Sequence, residues 1–400
     1  SITSGGNYNV TVGDEAGTAL TTGDQNVAVG YGAASALTTG ANIVAIGYLA
    51  GDAITTGENN IAIGKNALGA EDTHDFNIAI GSNALAVQNA GADAYNIAIG
   101  HNAGTAVTTG IRNTLIGGVA GLVLTDADYN VAVGMNALST DTLGSKSTAI
   151  GTDALQTQNF TTATDTFNTA VGYNAGNDVT TGLQNTLIGG LAGDALTDAD
   201  NNVAVGYLAL STNVLGSGNT AIGVDALSAS NPASAAITNN TSVGFQSGKS
   251  VNTGFANTII GATAGDALTT GSVNCVVGFN ALGAEQTGTG NVAMGEDAQG
   301  LSNGGVNNTC IGTTAGYQIS TGANNLALGH DASRSGSPGG AVTTQSNQVC
   351  IGDENITHAS IQVDWTVASD QRDKTDFTAL DLGLDFVKAL APVTYKWDKR

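Results

Sequence analysis

The stretch VASDQRDKTDF at Val367–Phe377 holds the residue types best suited to covalent chemistry in this chain. A serine hydroxyl becomes a nucleophile when a nearby base takes its proton, and a lysine can be that base once burial lowers its pKa. Ser369 and Lys374 offer this combination of types. The alternative is structural, because a serine in front of an acidic turn often caps a helix. Asp370 and Arg372 are expected to be ion-pair partners with a structural role.

The residues around this stretch predict the elements that would position it. Residues 358–368 (HASIQVDWTVA) alternate apolar and polar side chains, which is typical of a strand. Beyond the stretch, apolar residues recur at helical spacing, and Pro392 would end that helix. These apolar residues are Leu380, Leu384, Val387 and Leu390. We therefore expect a short strand-plus-helix segment at the C-terminal side of the chain.

The composition of the remaining chain is unusual for a globular protein. Of 400 residues, 57 are glycine and only 11% are charged, against about 25% charged in an average domain. Much of the apolar content is alanine, so the chain lacks the large side chains that one thick core needs. It can build a thin core that is repeated many times.

Net charge excludes two classes of partner. The formal charge is −22, and residues 1–368 hold only five basic residues: Lys65, Arg112, Lys146, Lys249 and Arg334. Such a field repels nucleic acid and anionic membrane surfaces, so neither is an expected partner. No apolar run reaches the length of a membrane span, so membrane insertion is not expected. Cys275, Cys310 and Cys350 show no metal-binding or disulfide spacing, and no cofactor or metal is expected.

An internal repeat decides the architecture. The pattern Asn-x-Ala-aliphatic-Gly recurs 20 times, and 15 of the 19 intervals between its glycines equal the interval from Gly13 to Gly30. We number positions relative to this reference glycine. Position −1 is Val, Ile, Leu or Met in all 20 copies, and position −4 is Asn in 17. Alternation such as Val27-Ala28-Val29 indicates strands, and a unit this short buries its apolar face only by stacking on copies of itself. The sequence therefore predicts an all-β fold, a parallel β-solenoid of about 20 coils.

Each column of the repeat carries its own expectation. The reference glycine indicates positive φ or close backbone approach, and the Asn column is expected to form a side-chain ladder. Each unit is expected to hold a second short strand after the glycine. Nine coils combine Gly at +4 with an aliphatic residue at +7, and seven combine Leu at +4 with a polar residue at +7. We infer that one large side chain per coil fills the same slot, since two would overfill it and none would leave a cavity.

The units NVAVG, NIAIG and NTAVG resemble the head repeats of trimeric autotransporter adhesins and similar repeats of phage tail fibres. The resemblance covers about residues 9–352. It implies a left-handed parallel β-roll in which three chains pack along one axis, although those heads use shorter coils. The alanine column (Ala28, Ala45, Ala62 and Ala79) is expected to suit close approach of neighbouring chains.

The segment from Ser369 resembles the start of the C-terminal intramolecular chaperone of phage tail fibres and endosialidase tailspikes. That family opens with Ser-Asp-x-Arg-x-Lys, then a helix, then a strand like PVTYKW at residues 392–397. The resemblance implies trimerisation followed by self-cleavage between Ala368 and Ser369, with Ser369 as nucleophile and Lys374 as base. The family domain is longer than the segment that the resemblance covers. The expected domains are therefore a shaft (1–352), a connector strand (353–368) and the N-terminal part of the chaperone (369–400).

Four longer intervals predict loops that leave the solenoid, at about 86–95, 157–167, 228–239 and 333–346. Because exposed loops on a rigid scaffold often carry binding, receptor contact is predicted for residues in them, with tolerated decoration as the alternative. The candidates are Tyr95, Phe160, Phe167 and Arg334. Two TDAD stretches, at 125–128 and 197–200, offer paired carboxylates but lack calcium-repeat spacing.

These observations favour a homotrimeric phage tail fibre in the virion that attaches to a host glycan or surface protein and contacts other tail proteins. The alternative is a trimeric adhesin on a bacterial surface. Threonine columns facing ice are a minor alternative. An enzyme acting on an external glycan would need paired carboxylates in a groove, and Glu71, Glu285 and Glu296 have no partners that the sequence reveals. Any peptidase activity would be the self-cleaving Ser–Lys pair.

Overall fold

The computed structural model describes residues 6–360 and residue 390. Its described part is all-β, with 24 short strands and no helix. The compact solenoid unit ends at Asn355. The strands are β1 Val10–Val12, β2 Val27–Val29, β3 Val44–Ile46, β4 Ile61–Ile63, β5 Ile78–Ile80, β6 Ile97–Ile99, β7 Thr114–Ile116, β8 Val131–Val133, β9 Gly144–Ser145, β10 Thr148–Ile150, β11 Thr164–Asp165, β12 Thr169–Val171, β13 Thr186–Ile188, β14 Val203–Val205, β15 Gly216–Ser217, β16 Thr220–Ile222, β17 Ala236–Ile237, β18 Thr241–Val243, β19 Thr258–Ile260, β20 Cys275–Val277, β21 Val292–Met294, β22 Thr309–Ile311, β23 Leu326–Leu328 and β24 Val349–Ile351.

Twenty of these strands form one parallel sheet, with one strand per repeat. Each pairs in register with the strand of the next repeat, as Ala28 does with Ala45. The predicted parallel β-solenoid is confirmed, with 20 strands defining about 19 turns. At about 4.8 Å per strand the sheet is roughly 90 Å long. Two two-stranded ladders lie beside it, β9 with β11 and β15 with β17, and they pair parts of two predicted excursions with the preceding turn.

A second strand in every unit is predicted, and that prediction is wrong for most described turns, since only four units hold one, the two-residue strands β9, β11, β15 and β17. The residues at +2 and +4 have left-handed backbone instead, for example Asn66 (φ 54°) and Leu68 (φ 51°). A strand cannot form where every second residue has a left-handed backbone, because a strand needs extended backbone at each residue. This half of the turn still hydrogen-bonds between neighbouring coils, as from the N–H of Leu68 to the carbonyl of Ala84 at 3.0 Å.

The alanine column lies inside the chain that carries it, so the prediction of a small-residue face between chains is wrong. In 18 of the 20 main strands the middle residue is buried and its two neighbours are not. Ala45, Ala62 and Ala79 are fully buried. Alternation alone reveals two faces but not which one points inward. Small residues face inward because the solenoid is too narrow to hold a larger side chain at every turn.

The shared-slot prediction agrees with the geometry. A Cβ added to Gly51, at +4, would lie 2.9 Å from Cδ1 of Ile54, at +7 of the same coil. In turns with leucine at +4, such as Leu68, that leucine is buried. Leu115, a large middle residue, also reaches this slot, and a Cβ at Gly121 would lie 2.8 Å from its Cδ2. Large core side chains thus come from three positions, and the turn of Leu115 holds two of them, since Leu124 at +7 is also buried.

The asparagine ladder is present and buried. Asn113 shows the pattern: its N–H donates to Oδ1 of Asn96 (2.8 Å), and its own Oδ1 accepts from the N–H of Asn130 (2.9 Å). Its Nδ2 also donates to the carbonyl of Ala127 (2.7 Å). Each asparagine therefore satisfies backbone groups of the next turn that no strand partner reaches. The ladder passes unbroken through the turns from Asn168 to Gln348.

Position −5 has left-handed backbone in all 20 turns and supplies a stability prediction. Asn fills it in seven turns, because Asn tolerates this conformation better than most residues. Val273, at φ 61° and 55% exposed, is a β-branched exception. Val273→Asn is expected to raise the free energy of unfolding by about 1 kcal/mol, and the reciprocal Asn201→Val to lower it similarly. Denaturation midpoints of the two variants check this, and unchanged midpoints in both would contradict it.

Candidate functional surfaces

The outer face of the main sheet is an apolar stripe that runs the full length of the solenoid. We define the stripe as positions −3 and −1, the first and third residues of each strand. Position −1 is aliphatic or Met in every turn and is never buried; Ile188 is 40% exposed and Ile260 is 41% exposed. Position −3 is Val, Ile, Leu, Thr or Cys. A soluble monomer rarely exposes a contiguous apolar patch of more than a few hundred Å², so the stripe indicates an interaction surface.

Buried polar side chains at +7 form pairs that sequence reasoning missed. Each pair consists of the polar +7 residues of two successive turns. Gln158 Nε2 donates to Asp141 Oδ2 at 2.6 Å, and Gln88 Nε2 donates to Glu71 Oε2 at 3.1 Å. Ser302 donates to the buried Glu285 at 2.6 Å. These pairs recur about every four turns, and that period is the signal in the sequence that could have revealed them.

The buried carboxylates of Glu285 and Asp141 accept hydrogen bonds from backbone N–H groups. Glu285 Oε1 accepts backbone N–H groups of Thr287, Gly288 and Gly304 at 2.6 to 3.0 Å. Asp141 Oδ1 accepts those of Gly144 and Phe160. Because these groups are sealed inside the solenoid, we assign them to structure and not to chemistry on an external substrate.

Two groups of side chains in the described residues could bring three metal-ligating atoms together. One is Glu71, Asp72 and His74; the other is His330, Asp331 and Asp353. In the first, Nδ1 of His74 already lies 2.8 Å from Glu71 Oε1, which also accepts two backbone N–H groups. A cation there would have to compete with those hydrogen bonds.

Arg334 lies beside an open polar cavity of about 230 Å³ at the C-terminal end of the solenoid. Its guanidinium lies 2.5 Å from Oδ1 of Asp331 and 5.4 Å from the ring centre of Tyr317. The Thr314 hydroxyl and Arg334 both donate to Asp331, and they hold the pKa of that carboxyl below its ordinary value. Arg334 is therefore committed to contacts within its own chain, which leaves less of its charge for a partner.

The other predicted receptor residues fall into two groups. Tyr95 and Phe167 are 47% and 52% exposed and occupy the same column, position −5, although they come from different excursions. Phe160 is only 7% exposed, so its ring is out of reach of a partner, and its backbone carbonyl accepts a hydrogen bond from the Thr142 hydroxyl.

The TDAD carboxylates tie adjacent turns together. Asp128 Oδ1 accepts a hydrogen bond from the N–H of Ile111 at 2.8 Å, and Asp200 Oδ1 accepts one from the N–H of Leu183 at 2.7 Å.

We also assign Cys310 a structural role, because burial raises the pKa of its thiol to about 12. In the described part of the chain, no helix has the length and apolar character needed to cross a membrane.

Ala368, Ser369 and Lys374 lie outside the described residues, as do residues 361–368 of the predicted connector strand and all of the predicted helix except Leu390. The comparison with protein families bears on this part. The family model described as chaperone of endosialidase matches residues 369–400. The chain matches no curated protein. A long parallel β-solenoid is thus followed by a segment similar to a known intramolecular chaperone.

Proposed function

We propose that the chain is a homotrimeric phage tail fibre whose solenoid is the shaft and whose residues 369–400 begin its intramolecular chaperone. The observation that carries the proposal is the combination of two parts. A solenoid whose exposed apolar stripe indicates a partner precedes, in the chain, a segment that matches the chaperone of endosialidase. On this proposal the fibre is extracellular, contacts other tail proteins, and attaches the virion to a host surface.

The stripe supports assembly of identical chains. Its aliphatic residues stay partly exposed in the single chain, as Ile188 (40%) and Ile260 (41%) do, and packing against another chain would remove that apolar surface from water. A rotationally symmetric arrangement of three chains lets every copy turn the same stripe to a common axis.

A chaperone at one end would prevent the chains from pairing out of register, which the repeat makes possible. Every turn presents nearly the same stripe, so two chains can pair one or more turns out of register with little loss of contact. Pairing that is distant in sequence is also slow to form. A C-terminal segment that aligns three chains would select one register before the shafts pack together.

The proposed self-cleavage is acyl transfer within one chain. Ser369 Oγ attacks the carbonyl carbon of Ala368 as Lys374 accepts the hydroxyl proton, and the peptide bond is exchanged for an ester. This exchange breaks the bond between the Ala368 carbonyl carbon and the Ser369 nitrogen, and the proton held by Lys374 passes to that nitrogen, which becomes the free amine of Ser369. Water then hydrolyses the ester, releasing the carboxylate of Ala368 and the hydroxyl of Ser369. The lysine needs a lowered pKa to accept that proton near neutral pH.

Replacement of Ser369 by alanine is expected to abolish the cut, because the nucleophile is lost. In the full-length gene product, intact mass should show a fragment ending at Ala368 for wild type and only the uncut chain for Ser369→Ala. Thr375→Ala is the control, since it removes a hydroxyl with no proposed role and should still be cut. Uncut chains in wild type and control alike would remove the peptidase role and leave a folding segment.

A further inference from the structure

We propose that one side of the shaft carries a binding surface for a neutral, linear glycan chain. The surface, here named the aromatic–basic ladder, comprises position −5 of six consecutive turns. Its residues are Phe76, Tyr95, Arg112, Tyr129, Lys146 and Phe167. The inference rests on the proposed attachment function and names the chemistry and location of the receptor contact.

The ladder residues contact one another along the solenoid. The rings of Phe76 and Tyr95 stack with centroids 5.0 Å apart and planes 5° from parallel. Arg112 lies 5.3 Å from the ring centre of Tyr129 and donates to its hydroxyl. Lys146 lies 5.3 Å from the ring centre of Phe167. The side chains therefore form an ordered row in which rings turn a face to a neighbouring ring or cationic group.

These residues occupy a backbone position that disfavours them. All six have φ between 51° and 66°. Eleven of the 20 turns use Asn, Gln or Gly at this position, which suits a left-handed backbone better. A bulky residue here costs stability relative to Asn or Gly. Six such residues in successive turns indicate a use that the fold itself does not require.

The ladder is not part of the core, and its extent differs from that of the stripe. Its aromatic members are 41% to 52% exposed. The stripe runs through all 20 strands, whereas the ladder spans six turns, or about 24 Å at 4.8 Å per turn. A contact between shaft chains would be expected to follow the whole repeat. A local surface fits a ligand that is bound at one region of the shaft.

The chemistry of the ladder favours a neutral glycan over other extended chains. The half-exposed aromatic rings can contact the C–H groups of pyranose rings through the parts that their neighbours in the ladder do not cover. The guanidinium of Arg112 can donate to sugar hydroxyls, and Asp165, 2.5 Å from Lys146, can accept from them. Single-stranded nucleic acid also stacks on aromatic rows. It carries a phosphate per nucleotide, however, and a chain of charge −22 repels it.

The test uses a triple variant that the backbone tolerates: Tyr95→Asn, Arg112→Asn and Tyr129→Asn. Asparagine is the residue that seven other turns carry at this position, so the fold should be kept. The matched control replaces three exposed aromatic residues outside the ladder: Tyr173→Asn, Tyr207→Asn and Phe245→Asn. Binding of the full chain is measured by surface plasmon resonance to α-mannan, β-glucan, galactan and dextran, with polygalacturonate as the polyanion.

The expected result is binding to at least one neutral glycan that the ladder variant weakens by about tenfold or more, while the control binds as wild type does. Absence of binding to every neutral glycan overturns the proposal, as does equal weakening in both variants. Binding to polygalacturonate alone overturns the neutral assignment. Native mass and cleavage at Ala368 are measured on the same variants. If the wild-type chain is monomeric and uncut but its glycan binding still depends on the ladder, the fibre proposal is wrong and the glycan-binding proposal is retained.

Discussion

Gly117→Ala is expected to disrupt the solenoid, whereas the same change at the adjacent Gly118 is expected to be nearly silent. Gly117 is a reference glycine with φ 138°, and an added Cβ would lie 2.3 Å from the carbonyl oxygen of Gly134 in the next turn. That backbone region is essentially restricted to glycine, and the clash is with backbone that cannot rotate away. A Cβ at Gly118 would meet nothing within 4 Å.

The expected cost of Gly117→Ala is about 3 kcal/mol or more, among the larger single-residue effects. Thermal midpoints and limited proteolysis of the two variants measure it, with new cleavage expected near β7 and β8. Gly189 and Gly190 provide a second pair four turns away, where the clash is again predicted for the first residue. Equal effects of the two substitutions within each pair would show that close approach of neighbouring turns does not require the glycine.

Ile188→Asp is expected to prevent assembly without unfolding the individual chain. Ile188 lies at position −1 of β13 and is 40% exposed in the single chain, so the aspartate remains in contact with water there. In a trimer packed through the stripe, three carboxylates would meet near one axis without cations. An unpaired buried charge costs several kcal/mol, and the symmetric assembly incurs that cost three times.

The matched control for this prediction is Ile237→Asp. Ile237 is 74% exposed in β17, within a side ladder and outside the stripe. The same chemical change there should leave assembly intact. Resistance to dissociation on unheated denaturing gels distinguishes the two variants. Assembly that survives Ile188→Asp would mean that the stripe is not the contact between chains.

Much of the fold was predictable because the same residue pattern recurs in each repeat and has the same structural consequence each time. The spacing of the reference glycine, equal in 15 of 19 intervals, and the period-two alternation before it predicted a parallel solenoid. The asparagine column predicted the ladder of asparagine side chains. The inward face was not predictable from alternation, since Ala28 and Val29 only define two opposite sides. The direction depends on the width of the interior, which is a property of the folded turn. The second strand was mispredicted because residues such as Leu68 adopt a left-handed backbone that their type disfavours.

The candidate sites were less predictable, because they depend on contacts between turns. Tyr95 and Phe167 were chosen from excursions, yet what unites them is a column shared with Arg112 and Tyr129. That column appears once residues are aligned on the reference glycine and their exposure is known. Phe160 was chosen on the same grounds and is buried. The acidic pairs such as Asp141 and Gln158 required the knowledge that +7 points inward.

The central claim is that three chains share the apolar stripe, and the most direct measurement is the native mass of the full-length gene product. Native mass spectrometry, supported by sedimentation equilibrium, should give three times the mass of one shaft chain, with or without the cut at Ala368. The Ile188→Asp chain should give a monomer with an unchanged circular dichroism spectrum. A wild-type solenoid that is folded and monomeric at micromolar concentration would contradict the account.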